Sequence, residues 1–101
     1  MFKAVKPNLK NSKYCKSDIR GFKYKIGKFY KQRHLFSKFQ NIVQDNMIHG
    51  GGFHCFLEEY ANRDTKCIKV LIPKGTKVFF GTWQGRHTVV AQKIKLLTYV
   101  Y

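Results

Sequence analysis

The sequence predicts an α+β fold in one domain spanning residues 1–101: a small antiparallel sheet with one amphipathic helix and one short helix. Two observations lead to this. Apolar and basic residues alternate with period two around residues 22–26 and through the last third of the chain, the pattern of strands with one buried face. Between them, residues 35–47 (LFSKFQNIVQDNM) carry apolar side chains at 35, 36, 39, 42, 43 and 47, the stripe of a helix. No low-complexity tract or long linker divides the chain.

Taken in order, residues 2–6 (FKAVK) read as a strand stopped by Pro7-Asn8, and the next ten polar residues as a loop. In GFKYKIGKFYK, Phe22, Tyr24 and Ile26 would share a buried face while Lys23 and Lys25 point outward, so the rings read as core rather than as stacking platforms. The helix at 35–47 follows. Gly50-Gly51-Gly52 then reads as a turn entering a packed segment, because a phosphate cradle would need a Lys-Ser/Thr pair after its glycines and Phe53-His54-Cys55 stands there instead. A short helix is expected from Phe56 to Arg63, with Glu58 and Glu59 outside.

Ile68, Val70 and Ile72 alternate with Lys69. Pro73 and Gly75 suit the second and fourth positions of a turn, so CIKVLI and KVFFG are expected to pair as a hairpin. Residues 88–100 read as one final strand, with Val90, Ile94 and Leu96 on one face and Lys93 and Lys95 on the other.

Charge points to function. Twenty Lys and Arg against five Asp and Glu give a formal +15, well beyond what solubility needs. Residues 1–40 hold ten Lys and two Arg against Asp18, a net +11. Such a field attracts polyanions. The expected partner is nucleic acid or a nucleoprotein, bound by Lys13, Lys16, Arg20, Lys23, Lys25, Lys28, Lys31, Arg33, Lys69, Lys93 and Lys95. If the strands share one sheet, Lys23, Lys25, Lys69, Lys93 and Lys95 would form one basic outer surface. A second reading is an inhibitor docking on an acidic host or immune protein, anchored by Trp83 or Arg86.

Chemistry centred on residues 49–67 is weaker. Zinc could recruit His49, His54, Cys55 and Cys67, but no Cys-x-x-Cys or His-x3-His spacing is present, and no metal or other cofactor is expected. A Cys55 nucleophile with a His54 base is the enzymatic alternative; a buried structural cysteine is the commoner outcome. Three cysteines with no export signal read as free thiols, and no apolar run is long enough to span a bilayer. A soluble cytoplasmic protein is therefore expected.

"RGFKYKIGKFY" (20–30), "GFHC" (52–55) and "VVAQKIKLL" (89–97) together resemble a group of short tailed-phage proteins that open on a lysine-rich strand and close on a Lys-Ile strand. This chain has Ile19 where that group carries a cysteine before the arginine. The resemblance implies a phage origin, the cytoplasm of the host cell as setting, and counter-defence or host takeover as use. A fainter similarity, over "IKVLIPKGTKVFF", is to ADP-ribosyltransferases. It implies a late catalytic glutamate, but this chain offers Gln92 and Lys93 there and no acid after Asp64.

Overall fold

The computed structural model describes residues 1–18, 21–31, 52–83 and 85–100. These residues form an all-β protein: 58% are strand and none is helix, which corrects the expected α+β class. The helix expected at 35–47 lies outside the described residues.

Among the described residues nine antiparallel strands make one sheet: β1 (Phe2–Pro7), β2 (Tyr14–Ser17), β3 (Lys23–Lys25), β4 (Phe29–Lys31), β5 (Phe53–Phe56), β6 (Lys66–Leu71), β7 (Val78–Trp83), β8 (Arg86–Ala91) and β9 (Lys93–Tyr99). Hydrogen-bonded neighbours run β4-β9-β6-β1-β5-β8-β7, with β2 on β1 and β3 on β2. The sheet forks at β1. One edge of β1 pairs with β6; along the other, Phe2 pairs with Phe56 of β5, while Val5 to Pro7 pair with Ser17 to Cys15 of β2. It also curls back on itself, because the Gly27 N–H donates to the Leu96 carbonyl at 2.8 Å and so ties the β3–β4 corner to β9.

The core fills the inside of this curl. Val5, Ile68, Ile94 and Leu96 are wholly buried there, joined by Cys15, Tyr24, Cys55 and Val70. Each large aliphatic side chain so buried contributes about 1.5–3 kcal/mol. Period-two alternation does the sorting: Tyr24 is buried between exposed Lys23 and Lys25, and Ile94 and Leu96 alternate with Lys93 and Lys95. Gly52, at φ +84, turns the chain into β5, which sends Phe53 and Cys55 into the core.

Four local expectations are corrected. Residues 14–17, read as loop, form β2, because Cys15 supplies an inward side chain opposite Tyr24. The short helix at 56–63 is absent: Phe56 is held in β5 by pairing with Thr88, and the Asn62 side chain accepts from the Asp64 N–H (3.0 Å) and the Thr65 hydroxyl (3.0 Å), a local turn that competes with helix. A turn forms one residue later than expected, over Pro73 to Thr76, closed by Thr76 N–H to Pro73 carbonyl at 3.1 Å, with Pro73 in its first position and Gly75, at φ +85, in its third rather than its fourth. It does not make a hairpin, since β6 pairs with β1 and β9 while β7 pairs with β8. The final strand breaks at Gln92 into β8 and β9, placing Val90 in register with His54 and on the face opposite Ala91.

Candidate functional site

The outer face of the sheet carries two lysine groups. The first is a row: Lys6 of β1 stands directly opposite Lys16 of β2, and Lys16 directly opposite Lys23 of β3. Cross-strand partners project to the same face, and strands lie about 4.8 Å apart, so three ammonium-bearing chains leave the sheet side by side. Like charges so placed repel. The Asp18 carboxylate meets the Lys6 end at 3.8 Å and offsets part of that repulsion. Tyr14 and Lys25, also opposite one another and exposed, extend the row along β2 and β3.

The second group lies on β4, β9 and β6. Lys31 stands opposite Lys93, and Phe29 opposite Lys95, which in turn stands opposite Leu71. Phe29 is 43% exposed, with the Lys93 and Lys95 Nζ atoms 4.9 and 5.0 Å from its ring centroid. Leu71 and Leu97 are exposed on the same face, and Lys69 is exposed on β6. The two groups meet at the Gly27 corner. Lys28 sits in that corner, and Lys13, just before β2, offers its carbonyl to the Ile26 N–H at 2.8 Å.

Of the lysines named from sequence, Lys16, Lys23 and Lys25 therefore fall in one group and Lys31, Lys69, Lys93 and Lys95 in the other. Arg20 and Arg33 lie outside the described residues. Trp83 and Arg86 are register partners at the β7–β8 turn, at the far end of the strand order from β4. The Arg86 guanidinium stacks on the Tyr60 ring at 4.0 Å, so this anchor candidate is engaged within the chain.

Sequence reasoning missed Lys6 and Phe29. Phe29 was findable, since it shares the phase of Lys31 in KFYK, opposite to that of Tyr30, which packs on the core; Lys6 was not, because in FKAVK the apolar Phe2 and Ala4 share its phase while Val5 shares that of Lys3, so alternation does not say which lysine faces out.

Around His54 and Cys55 the chemistry differs. Consecutive residues of a strand face opposite ways. Cys55 enters the core, where burial pushes its thiol above the ordinary range, and its Sγ lies 3.9 Å from the Phe53 carbonyl; His54 takes the other face with Val90. A thiol held protonated is a poor nucleophile. His49, named as a zinc ligand candidate, lies outside the described residues, and among those described no three His, Cys, Asp or Glu side chains gather to hold a metal ion. No helix among the described residues is long and apolar enough to cross a membrane.

No protein-family model, curated protein or solved structure matches this chain.

Proposed function

We propose that this protein binds nucleic acid, free or in a nucleoprotein, through the lysines on the outer face of its sheet, without catalysing a reaction. The observation that carries this reading is the run of cross-strand lysine pairs, Lys6 with Lys16, Lys16 with Lys23 and Lys31 with Lys93. Each such pair is unfavourable in the isolated molecule, and a polyanion laid across the strands relieves all three. Lysines of this kind grip phosphate and carry no sequence information of their own. In a phage-encoded protein, the use implied by the resemblance to tailed-phage proteins is counter-defence or host takeover in the host cytoplasm.

The test is binding of labelled DNA and RNA to the nuclease-treated, salt-washed protein across a salt series. Neutralising 6–10 phosphates lowers affinity roughly 10³- to 10⁵-fold between 50 and 200 mM salt. A flat salt response, or recovery of an acidic host protein from nuclease-treated lysate with no nucleic-acid binding, overturns the reading in favour of the inhibitor alternative.

A further inference from the structure

Phe29 is an outer-face residue that the lysine reading does not use. Its ring stands away from the core on β4, while the next residue, Tyr30, packs inward; Lys95 is its register partner and Leu71 lies one strand further along the same row. A lysine-only phosphate grip gains nothing from an exposed ring and leucine at its centre. We propose that Phe29 is a stacking platform, and that the ligand of this face is therefore a single-stranded polynucleotide. This inference rests on the nucleic-acid reading above and names the substrate class within it.

The physical case has three parts. A duplex hides the flat faces of its bases, so an exposed ring on a sheet surface finds a stacking partner only where bases are unpaired. The Lys93 and Lys95 ammonium groups, 4.9 and 5.0 Å from the ring centroid, occupy the positions that phosphates and a base would redistribute: the ammonium groups turn to the backbone oxygens, and a base takes the vacated ring face. Leu71, 41% exposed beside Lys95, adds apolar contact for a second base. Stacking tolerates any base, which suits a site whose charged groups are all lysines.

The experiment compares wild type, Phe29→Leu and Phe29→Trp by fluorescence anisotropy on a short DNA single strand, the same sequence as RNA, and the DNA duplex. Leucine keeps an apolar side chain under the lysine stems and removes the π-face. Phe29→Leu loses roughly 5- to 150-fold in affinity for single strands, the stacking of one base. Its duplex affinity and salt slope stay at wild-type values. Phe29→Trp holds or tightens single-strand binding, and its added emission above that of Trp83 is quenched by single strands and not by duplex. The DNA and RNA arms identify which strand the face prefers.

Wild-type affinity of Phe29→Leu for single strands, or an equal loss on single strands and duplex, overturns the platform and leaves the lysine reading standing. Absence of any wild-type nucleic-acid binding overturns both. Should Phe29→Leu fail to fold by circular dichroism, the quenching of Phe29→Trp decides: emission unchanged on saturation with a single strand overturns the platform.

Discussion

The Lys3 ammonium donates to the His54 backbone carbonyl at 2.7 Å, inside the protein. Lys3 is 8% exposed, shares the inward phase of Val5 on β1, and lies 5.9 Å from the Tyr24 ring centroid. Burial strips water from the charged form and lowers the amine below its ordinary 10.5, while the nearby Cys55 and Cys15 thiols pull it the other way. Below the lowered value the amine is charged in folded and unfolded chains alike, and the cost of burying it is fully present. Between that value and 10.5 the unfolded chain holds the extra proton, so this group makes stability rise with pH. Urea unfolding of Lys3→Met and wild type over a pH series should show the wild type gaining on the variant as pH rises toward 10.5. A difference independent of pH would mean the amine is solvated.

The three free cysteines oppose that trend. Cys15, Cys55 and Cys67 are all buried, and burial raises each thiol; for Cys15 the rise from 9.0 reaches about 11, although Tyr99 and Lys3 pull it down. For Cys15 this leaves roughly a hundredfold less thiolate in mildly alkaline solution, quite apart from restricted access. Iodoacetamide should modify the native protein slowly and the urea-unfolded protein at all three positions quickly, as read by mass spectrometry. Between pH 9.0 and about 11 the unfolded Cys15 thiol ionises while the folded one keeps its proton, and Cys55 and Cys67 are raised in the same direction, so these groups make stability fall as pH climbs through that window. Rapid modification of the native protein at Cys15 would contradict the burial of that thiol.

What the sequence revealed was the side-to-side sorting of single strands. Tyr24 against Lys23 and Lys25, and Ile94 and Leu96 against Lys93 and Lys95, follow from alternation alone, because each strand decides its own faces. Pairing partners did not follow. CIKVLI lies between β1 and β9 rather than against KVFFG, since long-range register depends on which apolar faces meet and no local signal records it. The 56–63 segment carried a helical stripe that the Asn62 turn and the β5 ladder override. Of the outer face, the lysines of the last strand were visible; the direct opposition of Lys6, Lys16 and Lys23 needed the register of three strands.

Gly27 holds the corner where the two lysine groups meet. At φ +90 it occupies backbone space that L side chains rarely adopt, and a Cβ added there meets nothing within 4 Å. The cost of Gly27→Ala is therefore conformational rather than steric, about 1–2 kcal/mol. Because the same residue donates to Leu96, strain here loosens the tie between the β3–β4 corner and β9. Chemical denaturation should show this loss with an unchanged m-value. A variant as stable as wild type would mean that the corner readily adopts another conformation.

Lys16 is the centre of the row, flanked by Lys6 on one side and Lys23 on the other. Replacing it with glutamate turns two repulsive cross-strand pairs into attractive ones. Stability should hold or rise, by about 0.2–1 kcal/mol per pair at low salt, with the exposed setting keeping it near the lower figure. Nucleic-acid affinity should move the opposite way, falling roughly tenfold or more at low salt, with the salt slope reduced by about one. Lys74→Glu, at the exposed Pro73 to Thr76 turn away from the row, makes the same change in net charge and is the comparison. If binding depends on the alignment of ammonium groups across β1, β2 and β3, Lys16→Glu weakens it far more than Lys74→Glu. Equal losses would show that affinity follows total charge and that the row has no special part in it.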